Sequence, residues 1–142
     1  MPSNQSVKAF QALLSKLPPA VKGPLRAEIF AQANSLRGTM LFNVPVGGEG
    51  GRRGAGRTRG GALRDSIRVE TSDRSAMRAL VRAGGAATTV DGYDYALAQE
   101  FGTSKIPAQP FFWPSYRSKK KAIRKAIKDK AKAAIQTLVP LT

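Results

Sequence analysis

Apolar residues recur at helical spacing in two places near the start of the chain. Val7, Phe10, Leu13, Leu14 and Leu17 lie three and four residues apart, which predicts a short amphipathic helix. Pro18-Pro19 is expected to end it, because neither proline can donate a helical hydrogen bond. A second helix is predicted after Gly23-Pro24, with proline tolerated in the first turn and a stripe of Leu25, Ile29, Ala33, Leu36 and Met40. Residues 44–61 then read VPVGGEGGRRGAGRTRGG and offer nothing to bury. This is a loop, expected to order only on a partner, and longer than compact domains ordinarily carry.

Alternation comes next. A short segment over residues 62–66 leads into Ile67-Arg68-Val69-Glu70-Thr71, patterned as a half-buried strand, and then a turn over residues 71–75. Residues 76–83 (AMRALVRA) fit helix or strand, and their neighbours favour the return strand of a hairpin. Residues 93–101 fit a strand or a single helical turn running into Gly102, while residues 106–114 carry three prolines and should be extended. In the last segment Ile123, Ile127, Ala131, Ile135 and Leu138 form one stripe, and Lys119, Lys121, Arg124, Lys125, Lys128 and Lys132 cover the rest. Pro140 should stop this basic helix. The expected architecture is α+β: N-terminal helices, a small antiparallel sheet, and a long C-terminal helix packed on the sheet. One domain accommodates all 142 residues, with a helical part over 1–43, the Gly/Arg-rich loop over 44–61, a β-rich core over 62–114 and the basic helix over 115–139.

Composition removes most catalytic chemistry from this frame. With no cysteine and no histidine there is no thiol nucleophile, no imidazole base and no zinc site of the Cys/His kind. Lys and Arg number 24 against 9 Asp and Glu, a formal net charge of +15, which favours anionic partners. No apolar run approaches the ~18 residues a membrane span needs. Residues 1–6 lack the pattern of a secretory signal, so a cytosolic protein without membrane contact is expected.

Each remaining chemical candidate has a plainer counterpart. Asp91, Asp94 and Glu100 could form an acid/base pair or a hard-metal site, but their spacing matches no carboxylate mechanism. The preferred reading has Asp91-Gly92 in a turn and Glu100 capping a helix or pairing with an arginine. The glycines of residues 47–61 lack the lysine of a phosphate loop. Arg52, Arg53, Arg57 and Arg59 could track phosphates or pair with acidic side chains on a neighbouring subunit, and no aromatic stands among them to stack on bases. The basic helix over residues 117–132 could meet nucleic acid or lipid, though a charge run is more often the solvated face of a packed helix. Phe111, Phe112 and Trp113, bracketed by Pro110 and Pro114, suit an aromatic anchor in the core or at a subunit contact better than a ligand pocket.

Two ordered blocks carry a family likeness. Arg59-Gly60-Gly61-Ala62-Leu63-Arg64-Asp65-Ser66-Ile67, preceded by Val44-Pro45-Val46, resembles a "Thr-Gly-x-Leu-Arg-x-Ser-Ile" signature. Tyr95-Ala96, Glu100-Phe101-Gly102-Thr103 and Pro107-Ala108-Gln109-Pro110-Phe111-Phe112 with Pro114 resemble a second block that leads into a C-terminal helix. Both are similar to the head–tail joining or tail-completion (neck) family of long-tailed phages, akin to the minor tail protein Z of lambda-like phages. Gly47 to Arg57 stand where that family has its two segments nearly adjacent, and Gly60-Gly61 replaces its Thr-Gly.

The likeness implies a non-enzymatic structural virion protein, assembled in the host cytoplasm, with no cofactor. It would complete the head-proximal end of the tail and join tail to head as a ring of identical subunits, six copies matching the usual tail symmetry. Its partners would be neighbouring neck and tail proteins and DNA in the channel. The motif positions Pro45, Gly61, Leu63, Arg64, Ser66, Ile67, Tyr95, Glu100, Phe101, Gly102, Thr103, Pro110, Phe111 and Pro114 would be structural, with Phe101 an apolar anchor and Gly102 a hinge. The alternative is a basic DNA-binding protein without enzymatic activity.

Overall fold

The computed structural model describes residues 16–44, 62–71, 77–105 and 107–138, together with Gln5, Lys8 and Ala12. Those three isolated residues are helical, but Val7, Phe10, Leu13 and Leu14 of the first expected helix lie outside the described residues. So do residues 45–61, residues 72–76 with all but Thr71 of the turn expected over 71–75, and Pro140.

Pro18 and Pro19 begin a helix. Helix α1 runs Pro19–Asn43, starting earlier than Gly23-Pro24 suggests. Pro18 is extended at the N-cap and its carbonyl accepts from Val21 N (2.9 Å) and Lys22 N (3.0 Å). Pro19 at the first helical position has its φ preset and no amide to satisfy. Pro24 sits inside the helix and forfeits one backbone bond. The earlier start adds Val21 to the buried face, which continues through Leu25, Ala33, Leu36 and Met40. Each such Val, Leu or Met side chain contributes about 1.5–3 kcal/mol by leaving water.

After a single turn, α2 (Ala62–Asp65), strands β1 (Arg68–Glu70) and β2 (Leu80–Arg82) pair antiparallel, as the alternation predicts. The register sets Arg68 opposite Arg82, Val69 opposite Val81 and Glu70 opposite Leu80. Like charges face each other at Arg68 and Arg82, and Glu70 offsets them by pairing with both. A 3-10 turn (Ala86–Thr88) leads to a second, minimal hairpin, β3 (Thr89–Val90) with β4 (Tyr93–Asp94). Its loop is Asp91-Gly92, both at positive φ (49° and 78°), as a two-residue primed turn requires. Residues 93–101 thus split: two residues of strand, then helix α3 (Tyr95–Phe101).

Helix α4 spans Phe112–Leu138 and takes in Phe112, Trp113 and Pro114, which were expected to be extended. Proline in the first turn needs no partner for its nitrogen, so Pro114 opens the helix instead of preceding it. Asn43 Nδ2, on the last residue of α1, donates to Ser115 Oγ at 3.0 Å, so α4 runs back antiparallel along α1. Their contact is the most extensive in the fold, and α1 also touches both β1 and β2. Leu36, Met40, Val44, Leu63, Ile67, Ala96 and Phe111 make the central core, with Val81, Tyr116 and Ile123 packed against it. The architecture is α+β, with the C-terminal helix closing the core.

The stripe of α4 holds at Ile123 and Ile127 but not at Ile135, which is exposed. Four-residue steps overshoot a 3.6-residue turn by about 40° each, so three steps carry Ile135 off the buried face. Ala134 takes its place. Among the described residues, no helix is long and apolar enough to cross a membrane.

Candidate functional site

The first motif block is a bracket between α2 and the end of β2. Leu63 and Ile67 are buried, and Ser66 between them is buried too. Ser66 Oγ donates to Leu63 O (2.6 Å) and accepts from Gly84 N (2.8 Å), so one hydroxyl closes the helical turn and ties it to the strand. Arg68 continues the tie: its guanidinium donates to Ser66 O (3.0 Å) and Gly84 O (2.9 Å). Arg37 from α1 donates to Ile67 O at 2.8 Å. Arg64 points to solvent. Ser66→Ala should therefore cost about 1–2 kcal/mol, because it orphans the buried Gly84 amide. Urea unfolding should show a lower midpoint at unchanged slope.

The second block is built on carboxylates that cap backbone. Asp94 Oδ1 accepts from Ala96 N (2.9 Å), capping α3, and from the Thr88 hydroxyl (2.8 Å). Glu100, 8% exposed near the end of α3, reaches across to the start of α4. Its Oε2 accepts from Phe111 N (2.8 Å) and Phe112 N (2.9 Å), and its Oε1 from Trp113 N (2.9 Å). Pro114 comes next and has no amide. Of the two structural roles expected for Glu100, capping is the one it plays, and no arginine pairs with it among the described residues. Asp91 lies in the exposed hairpin turn. Among the described residues no group of three acidic side chains is placed to hold a metal.

Between the two blocks runs an open groove of about 480 Å³. One wall is the consecutive run Val81, Arg82, Ala83, Gly84 and Gly85 with Arg68; the other is Leu97, Phe101, Phe111, Phe112 and Trp113. Phe111 is core, and edge-to-face contacts link it to Phe112 (6.4 Å), Phe112 to Trp113 (5.3 Å) and Trp113 to Tyr116 (6.2 Å). Phe101, the apolar anchor of the motif, faces outward. It is 66% exposed, beside Leu97 at 58% and Trp113 at 46%, so the groove has an outward apolar lip. Gly102 does fill the role expected of glycine, leaving α3 at φ 76°. Thr103 and Pro110 are exposed, Pro114 is half-buried in the first turn of α4, and the Tyr95 hydroxyl reaches Ala87 O at 3.4 Å.

The basic face of α4 points away from the core. Its one carboxylate, Asp129, accepts from Lys125 Nζ at 2.8 Å, a hydrogen bond that holds the Asp129 carboxyl below its ordinary value and raises Lys125. Pro45, Gly61 and the arginines at 52, 53, 57 and 59 lie outside the described residues.

Sequence reasoning passed over Gly84, Arg68 and Leu97. A Gly-Gly pair closing a strand was the available signal for Gly84. Nothing local marks Leu97, because its exposure depends on which side of α3 meets the core. No family model, curated protein or solved structure matches this chain.

Proposed function

We infer that this chain is a non-enzymatic structural subunit of a long-tailed phage, completing the head-proximal end of the tail and joining it to the filled head. The observation that carries the reading is the exposed apolar lip of Leu97, Phe101 and Trp113, built by the same block that resembles the tail-completion family. Exposed aromatic and aliphatic side chains beside a groove are what a subunit contact uses as anchors. Two of the three carboxylates that could have served chemistry, Asp94 and Glu100, are taken up as helix caps. A ring of identical subunits around the channel, carrying neighbouring neck and tail proteins, is the assembly this reading implies.

Electron microscopy of particles made without the gene tests it. DNA-filled heads beside separate tails support joining; unfilled heads refute it. A finer test uses Leu97→Ser with Phe101→Ser. Both side chains already face water, so the monomer's stability should stay within about 0.5 kcal/mol of wild type. Incorporation into particles should nonetheless fall at least tenfold on purification. Normal incorporation would remove the lip from the assembly.

A further inference from the structure

Residues 117–132 hold nine of the chain's 24 cations and a single carboxylate, Asp129. Five of these cations, Arg117, Lys121, Arg124, Lys128 and Lys132, succeed one another at steps of four, three, four and four residues. At 3.6 residues per turn they fall within about 100° of arc and form one line along α4. All five are exposed, and none has an ion-pair partner among the described residues, since Asp129 is engaged by Lys125. From first to last the line is roughly 22 Å long at 1.5 Å per residue.

We propose that this line is a binding track for the phosphate backbone of duplex DNA, read without regard to sequence. The chemistry selects among anions. An anionic membrane would need the apolar side of α4 to embed, and Ile123 and Ile127 on that side are already turned toward the fold. A protein partner would need an apolar centre to the contact; between its ends the line is bordered by Ser118, Ala122 and Ala133, and the exposed Trp113 and Ile135 stand beyond its two ends. Single strands bind by stacking on aromatics, of which residues 117–132 have none. Evenly spaced cations alone, mostly lysines acting as point charges, suit the regular charge of a duplex. This binding stands apart from the assembly reading and does not rest on it.

The test is fluorescence anisotropy of the full chain with a labelled 30-base-pair duplex across a salt series. Five neutralised phosphates give a log–log salt slope of roughly −4.5, so affinity should fall roughly 500-fold between 50 and 200 mM salt. A variant with Arg117, Lys121, Arg124, Lys128 and Lys132 all changed to Gln should lose at least 100-fold at low salt, with its slope cut to roughly −1 or less. Gln is a good helix former, so circular dichroism should match wild type. A second variant, with Arg52, Arg53, Arg57 and Arg59 changed to Gln, should keep most of the affinity and slope. A scrambled duplex should bind equally well. The proposal is overturned if the loop variant loses binding while the helix variant keeps it, or if phosphatidylserine vesicles or single strands bind more tightly than the duplex. Either result leaves the particle-assembly experiment untouched.

Discussion

Glu100→Ala should lower the melting temperature by roughly 10 °C, an effect more often seen on removing a large core side chain. The carboxylate is buried, and among the described residues no cation forms an ion pair with it. What balances its charge is three backbone amides, those of Phe111, Phe112 and Trp113, at the positive end of a 27-residue helix. Charge-assisted bonds of this kind contribute about 1.5–3 kcal/mol each, though not additively. Truncation leaves three amides unsatisfied and a hole between α3 and α4, so a loss of roughly 3–5 kcal/mol is expected. At ~2–4 °C per kcal/mol for a domain of this size, that gives the predicted shift. Glu100→Gln separates the parts of the effect. It keeps the volume and one carbonyl oxygen but turns an NH2 toward donors, and should lose about half as much. Calorimetry of both variants is the measurement, and a shift under about 2 °C for Glu100→Ala would show that the cap is dispensable.

The second large effect is expected where a glycine has no room to be anything else. Gly84 adopts φ 86°, and a Cβ there would lie 2.9 Å from Ala96 Cβ and 3.3 Å from both Asp94 Oδ2 and Thr88 Oγ1. The nearest atom is fixed to the backbone of α3 and cannot rotate away. Gly84 also holds both ends of the bracket, donating to Ser66 and accepting from Arg68. Gly84→Ala should cost about 2–4 kcal/mol, combining left-handed strain with overpacking. In urea that lowers the midpoint by roughly 1–2 M. Gly92→Ala is the matched control. Its φ of 78° is similar, but nothing lies within 4 Å, so it bears the strain alone and should lose about 1 kcal/mol. Equal losses for the two would mean that the close approach to Ala96 carries no cost.

The sequence by itself determined what depends on neighbours along the chain. Helical spacing located the buried stripe of α1, alternation located β1 and its neighbours then favoured β2 as the return strand, and Asp91-Gly92 located a turn, because each arises from local geometry. Prolines placed the start of both long helices too late for a related reason. A proline marks a helix boundary, but where the helix begins around it is decided by the burial of the residues on either side. Val21 draws α1 forward to Pro19, and the amides offered to Glu100 draw α4 forward to Phe112. The tertiary structure alone decided the rest. Ser66 meets Gly84 across 18 residues, Glu100 reaches amides 11 to 13 residues on, and Asn43 meets Ser115 across 72. Such contacts have no local signature, since the chain meets their entropic cost only when the core has closed around them. The exposure of Phe101 belongs here too. Whether an aromatic on a seven-residue helix faces core or water is set by how that helix docks, and on α3 the buried side is taken by Ala96, Ala98 and Glu100.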